Sequence, residues 1–256
     1  ETTETKGIRK TVSKFIEKIL IRYVDEVALT SDGHAEWYRQ QYDLNNVWVI
    51  RNCPYKRQSN ELVGNIFRKK FNIPDKDLIF LYQGAIEKSR GAELLMRVFS
   101  KSPKDKHIVF MGFGSILNLL QEYEIKFPNI HYHPAVLPDE LVNYTVCANV
   151  GIHMMDDSCI NHLQALPNKP MEYMNAGIPA IVSDLSEMGT LIRSSGAGWV
   201  VSVGDESSLE VLIVSLASDE IMKKSHKAHI WENNNNWEQE EKILFSMYKN
   251  LGFIGN

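Results

Sequence analysis

The chain has 256 residues, of which 44% are hydrophobic, 23% charged and 10% aromatic, a globular composition that sets aside disorder and fibrous repeats. Its 28 Lys and Arg against 32 Asp and Glu leave a net charge of −4, so the surface as a whole is not built to attract a polyanion, and sequence-blind nucleic-acid binding is not expected. Cys53, Cys147 and Cys159 lie far apart, without the spacing of a zinc site or a disulfide framework, which points to a reducing, cytoplasmic setting.

No apolar run approaches the roughly 20 residues of a membrane span, and residues 1–20 lack the layout of a secretory signal. The chain opens Glu1-Thr2-Thr3 without an initiator Met, which makes a piece of a longer protein the expectation. In chain order, the periodicity predicts a helix at about Ile8–Tyr23, a strand Val27–Thr30, a helix Gly33–Tyr42 and a strand Val47–Ile50. Two βα units cannot bury both faces of a sheet, so residues 1–52 read as the end of a truncated N-terminal α/β domain. The first helix carries Lys6, Arg9, Lys10, Lys14, Lys18 and Arg22 against Glu17 alone, beside an apolar stripe of Ile8, Val12, Phe15, Ile16 and Ile19. Two readings stand: a face that covers a sheet, or a peripheral contact of residues 6–22 with anionic lipid on the cytoplasmic membrane face.

Arg51-Asn52-Cys53-Pro54 and the polar run after it break the periodicity, and residues 53–60 read as a linker. Residues 61–225 alternate strands Leu78–Gln83, His107–Met111, Ile130–His133, Val150–His153, Pro179–Ser183 and Trp199–Val201 with helices. The helices are expected near Ala92–Phe99, Ile116–Phe127, Pro138–Cys147, Pro170–Ala176, Leu185–Arg193 and Glu206–Ser218. That is the pattern of a doubly wound parallel sheet, a Rossmann-like α/β domain. Residues 226–256 hold the turn-rich Asn233–Asn236 and a closing helix Trp237–Leu251, with Ile243, Leu244, Met247, Tyr248 and Leu251 on one face.

In open α/β sheets ligands sit beyond the carboxyl ends of the strands. The first such loop runs Tyr82-Gln83-Gly84-Ala85-Ile86-Glu87-Lys88-Ser89-Arg90-Gly91; its glycines allow close backbone approach and Arg90 is suited to phosphate oxygens, or else is a solvated charge. The second, Met111-Gly112-Phe113-Gly114-Ser115, lacks the third glycine and the acid of a dinucleotide fingerprint, so nicotinamide dinucleotides are disfavoured. It reads equally as a tight turn, with Ser115 as a helix cap. The third, Ala165-Leu166-Pro167-Asn168-Lys169-Pro170-Met171-Glu172-Tyr173-Met174-Asn175-Ala176-Gly177-Ile178-Pro179, outlines a short helix with Pro170 at its first position and Gly177 at its stop. Its positive end, with Lys169, suits a pyrophosphate, and Glu172 suits a ribose diol or simply complements the helix dipole. His153, Asp156 and Asp157 invite a metal site, but adjacent residues of an extended segment face opposite ways, and none is expected. The chain has no Gly-x-Ser-x-Gly elbow or P-loop.

These motifs, above all Leu166–Pro179, resemble the donor-binding half of retaining glycosyltransferases of the GT-B fold, over roughly residues 20–250. Residues 1–52 then resemble the end of the acceptor-side domain, and Trp237 onward the helix that crosses back to it. The resemblance implies a nucleotide-sugar donor (UDP or GDP), a glycan or lipid-linked acceptor, retention, and no metal or other cofactor. It gives Glu172 to the ribose, Arg90 and Lys169 to the diphosphate, and Val136 and Leu137 to the base. Gly84, Ala85, Lys88, Gly112, Gly114, Gln164, Pro167 and Asn168 complete the expected donor site. Two positions depart from the family pattern: Ala85 stands where many members carry Arg, and Gln164 where many carry an acid. The chain alone is expected to bind donor without transferring it. The rival readings are a nucleotide-sugar 2-epimerase and a non-catalytic binding subunit.

Overall fold

The computed structural model describes residues 7–56 and 65–253. Lys6, linker residues 57–60 and the expected domain start at 61 lie outside the described residues, as do the side chains of Ile8, Arg9 and Lys10. The N-terminal piece comprises helix α1 (Ile8–Leu20), a 3-10 turn Ile21–Tyr23, strand β1 (Val27–Leu29), helix α2 (Asp32–Tyr42) and strand β2 (Val47–Val49). Ser31 caps α2 by accepting the His34 N–H, and Asp43, at φ 54°, ends it. The two strands pair in parallel as a sheet of their own.

After α3 (Ile66–Phe71), the second unit runs β3 (Leu78–Ala85), α4 (Ala92–Lys101), β4 (Lys106–Phe113), α5 (Leu117–Lys126) and β5 (Ile130–Pro134). It continues with α6 (Leu141–Thr145), β6 (Val150–His153), α7 (Ile160–Gln164), α8 (Asn168–Asn175), β7 (Ala180–Ser183), α9 (Ser186–Ser195) and β8 (Gly198–Val201). Three helices close the chain: α10 (Glu206–Ser215), α11 (Ser218–Glu232) and α12 (Trp237–Asn250). The six strands form one parallel sheet in the order β5-β4-β3-β6-β7-β8. The order reverses between β3 and β6, and a switch point of this kind opens a crevice at the carboxyl edge.

Successive β3 residues enter different cores, as the two-residue period of a strand requires. Phe80 and Tyr82 join Leu95, Phe99 and Phe110 on one face, while Ile79 and Leu81 join Phe67, Tyr173 and Met188 on the other. Both faces being covered is why the strands read as unbroken apolar runs.

Several expectations change at this level. The segment 138–147 divides into a 3-10 turn at Pro138–Glu140 and α6. Residues 206–232 form two helices rather than one followed by a turn-rich tail, so the boundary expected between 225 and 226 falls inside α11. The stripe on α12 is only partly covered: Met247 is buried, while Ile243 and Tyr248 remain exposed. Its N-terminal half instead grips the connecting segment. The Trp237 N–H donates to the Pro54 carbonyl at 2.8 Å, and the Glu240 carboxylate accepts the Arg51 N–H at 2.8 Å.

Candidate functional site: the carboxyl edge at the β3–β6 switch point

The site is built from the loops after β3 and β6 and the start of α8. Helix α8 begins at Asn168 with Pro167 as its capping residue, so Pro170 is its third residue rather than its first, a position whose N–H is still outside the helical ladder. Gly177, at φ 78°, stops the helix by the expected left-handed turn, with Ile178 N–H on the Tyr173 carbonyl. Tyr173 holds α8 to the switch point: its hydroxyl accepts the Gln83 N–H at 3.1 Å and donates to the Ile152 carbonyl at 3.2 Å. Its ring lies against Gly151, where a Cβ would collide with it.

Glu172 is the fifth residue of α8, two residues beyond the first-turn position expected of it. Its carboxylate accepts from the Gln83 Nε2 at 2.5 Å and from the Lys169 Nζ at 2.9 and 3.1 Å. Gln83 in turn accepts from the Thr145 Oγ1 at 2.9 Å. Three elements, β3, α6 and α8, thus fix one carboxylate. Gln83 and Thr145 had no assigned role in the sequence, and no local pattern marks either.

Gly84 has φ 124°, and a Cβ there would stand 3.2 Å from Cε of Lys169, so the lysine stem runs over the bare backbone at the end of β3. Ala85 closes β3, its carbonyl accepting the Tyr82 hydroxyl at 2.6 Å. Lys88 and Arg90 share a 3-10 turn, with Lys88 pairing with Glu93 at 3.5 Å and Arg90 exposed. His153, at the end of β6, is wholly buried and is pushed down to about 3, first by burial and then by the charges of Arg90 and Lys169. Lys169 and Gly84 meet at the carboxyl end of β3.

Gly112 and Gly114 have a structural role. A Cβ on Gly112 would collide with the Gly84 carbonyl and one on Gly114 with the Ile86 carbonyl, so both glycines are needed where β3 and β4 run closest. Ser115 does not cap the following helix. Its N–H and hydroxyl both donate to the Glu87 carboxylate, and these bonds hold Glu87 below the usual carboxylate range. Asp156 is likewise engaged locally, with Ser158 and with the His162 Nδ1 at 2.7 Å. Among the described residues no cluster of three metal-ligating side chains occurs.

A cleft of about 610 Å³ opens beside Glu172, within the usual range for small-ligand sites. Asn168, Glu172 and Asn175 line one wall, Pro138, Leu141 and Thr145 another, and the Pro54–Lys56 segment a third. Val136, half-buried, and Leu137, 67% exposed, lead into Pro138 at its rim. Gln164 is not in this cleft. It lines a second cavity together with residues of α1 and α2.

A parallel sheet with a switch point between β3 and β6, a cleft beside the start of α8 and a second α/β piece against it define a domain of the GT-B architecture. The chain belongs to the family described as Glycosyl transferases group 1, whose profile matches residues 64–237. It is similar to Alr3699/HepE of Anabaena, solved in complex with UDP: TM-score 0.78, 11% identity, covering 96% of this chain and 68% of that one. For sucrose-phosphate synthase of Thermosynechococcus elongatus the values are 0.76, 17%, 97% and 64%. For TarM they are 0.73, 13%, 97% and 48%. The chain thus spans about half to two thirds of these structures, and at such identities the likeness is one of fold. No curated protein sequence matches it. Among the described residues no helix is long and apolar enough to cross a membrane.

Proposed function

We propose that this chain is the donor-binding part of a glycosyltransferase that moves a sugar, with retention, from a UDP- or GDP-sugar to a glycan or lipid-linked acceptor. The observation that carries the reading is the cleft lined by Asn168 and Glu172, with the Lys169 ammonium on Glu172 at 2.9 Å and its stem over Gly84. In the reaction the acceptor hydroxyl oxygen bonds to the anomeric carbon. The C–O bond to the diphosphate breaks with its electron pair on the phosphate oxygen, and the hydroxyl proton passes to the departing diphosphate. Charge developing on that diphosphate is met by the guanidinium of Arg90, the ammonium of Lys169 and the free N–H groups of α8, all in position beforehand. Glu172 takes the ribose diol, and the Val136–Leu137 segment at the cleft rim faces the base. HepE, of the same fold, holds UDP, which supports a nucleotide donor here. Titrating UDP, GDP and ADP into the chain tests the reading: UDP or GDP binds, and no heat with any of the three overturns it.

The apolar face of α1 leaves Val12, Phe15, Ile16 and Ile19 exposed, Phe15 at 65%. We infer that the remainder of a longer polypeptide covers it, since the chain spans only part of the structures it resembles. Lys14, Lys18 and Arg22 also line this helix and its continuation, and a peripheral, cytoplasmic membrane contact is the rival cover. Sedimentation with phosphatidylglycerol vesicles separates the two. Binding of the longer polypeptide that Lys14→Glu with Lys18→Glu abolishes would favour lipid.

A further inference from the structure

Helix α2 begins where three parts of the chain meet. Its capping residue Ser31 is buried, and the Ser31 hydroxyl donates to the Gln164 carbonyl at 2.7 Å while accepting the His34 N–H at 3.2 Å. The next residue, Asp32, faces Arg51 of the connecting segment at 3.6 Å. Gly33 then donates its N–H to Oε1 of Glu187 at 2.9 Å, across 154 positions. Glu187 stands in the first turn of α9, so a side chain of the six-stranded unit closes a helix end of the N-terminal piece.

The fit is particular to these two residues. An N–H at a helix start has no partner within its own helix, and a carboxylate that accepts it also complements the helix dipole. A Cβ on Gly33 would stand 2.7 Å from the same Oε1, closer than such atoms approach, so only glycine at 33 admits the carboxyl where it lies. Gly33 has helical backbone without a positive φ, and glycine is a poor helix former. Room for Glu187 is what it supplies.

Glu187 is half-buried beside a hollow of about 170 Å³. Asp32 of α2 and Arg51 of the connecting segment are the charged groups that line the hollow with it, and α11 contributes the uncharged Trp231. Burial first, and then Asp32, raise the Glu187 carboxyl above its ordinary range, against the Gly33 N–H and Arg51. The docked chain thus holds this proton more tightly than an undocked one, so docking strengthens as pH falls through the carboxyl range. A neutral acceptor at 187 is sufficient.

We propose that Glu187 is a positioning residue: set on the start of α2 in the space that Gly33 leaves, it pins the N-terminal piece to the six-stranded unit in one orientation. The pin itself is independent of the glycosyltransferase reading. Its consequence for turnover, a longer polypeptide that loses kcat and keeps its donor affinity once the pin is removed, rests on that reading.

Distances between nitroxide labels at Gln40→Cys and Lys223→Cys, both exposed positions, test the pin by electron double resonance on the whole chain carrying Cys159→Ser. A single narrow distance is expected without further change, a broad distribution with Glu187→Leu, and a narrow distance again with Glu187→Gln, whose amide oxygen accepts the same N–H. Gly33→Ala should broaden the distribution as Glu187→Leu does, and the double variant no further, because both remove one contact. Exchange of the Gly33 amide should quicken about tenfold in Glu187→Leu, the scale of a lost helix cap. Circular dichroism melting verifies that each variant folds. A narrow distance retained in folded Glu187→Leu overturns the pin even if the Gly33 amide exchanges faster, since that would mark a local cap alone. Equal broadening in Glu187→Gln and Glu187→Leu also overturns it. UDP titration of the same samples keeps the two readings apart. Broadening without UDP binding in any sample retains the pin and removes the transferase reading, whereas weaker UDP binding in Glu187→Leu alone would move Glu187 to the donor site and overturn the pin.

Discussion

Lys169 and Glu172, one turn apart on α8, meet at 2.9 Å on the carboxylate Oε2, the oxygen to which Gln83 also donates at 2.5 Å, and the same ammonium reaches Oε1 at 3.1 Å. Both oxygens of Glu172 are engaged. On the proposed reading, a diphosphate entering near Gly84 would compete with Glu172 for the ammonium, and the carboxylate oxygen given up would become free for a ribose hydroxyl. Lys169 would thereby link phosphate binding to ribose binding.

Removing this ammonium should slow the reaction more than it weakens binding. In the longer polypeptide Lys169→Met is expected to lower kcat on the order of 100-fold, the usual effect of deleting one preorganised charge donor. Steady-state kinetics against the donor checks this, and an unchanged kcat would take Lys169 out of the diphosphate site.

Gln83 is a positioning residue. Gln83→Leu leaves Glu172 with Lys169 alone and removes a buried hydrogen bond from Thr145. It should destabilise the domain by about 1–3 kcal/mol and weaken UDP binding, read by denaturation and calorimetry. Gln83→Glu, which turns a donor into a second carboxylate facing Glu172, should weaken UDP more than Leu does.

Gly112→Ala tests whether the second glycine loop is architecture. Its new methyl group would meet the Gly84 carbonyl across the β3–β4 pair, and strain of this kind costs about 1–3 kcal/mol or more. The urea midpoint should fall accordingly, and an unaltered midpoint would contradict the close approach of the two strands.

The six strands of the large sheet were legible because burial on both faces makes each a continuous apolar run, and Leu78–Ala85 and Lys106–Phe113 differ from expectation only at their ends. The short helix was legible from Pro170 and Gly177, residues that act through local backbone geometry, although its start lies two residues before Pro170. What escaped was tertiary. Gln83 meets Glu172 across 89 positions, and no periodicity records that meeting. Helix α7 is too short to show a period, and α11 mixes Lys, Ser and His among few buried residues, so both read as loop. Gln164 stands eight positions before Glu172 in the sequence, yet α7 turns it into a different cavity.

Acid should loosen the fold through two buried histidines. Burial and then the neighbouring His107 lower His131 to about 4, and burial with Arg90 and Lys169 lowers His153 to about 3, against an ordinary value of 6.5. Above pH 6.5 neither state holds the proton. Below it the unfolded chain binds protons that the native chain refuses, so stability falls by up to ~1.4 kcal/mol per pH unit for each histidine. The loss through His131 ends near pH 4 and that through His153 near pH 3. Denaturation midpoints measured from pH 7 to pH 4 should show this slope, and His131→Phe should make it shallower. Equal slopes in both proteins would refute a neutral, buried His131.

The most direct measurement is calorimetric titration of the preferred nucleotide, UDP or GDP, into the chain and into its Arg90→Ala and Glu172→Ala variants, each shown to be folded. Loss of about tenfold or more in affinity in each variant is the predicted result, one ionic or charge-assisted contact being removed in each case. Affinity unchanged in both would mean that the guanidinium after β3 and the carboxylate on α8 do not share a ligand, and the donor site would not lie at this switch point.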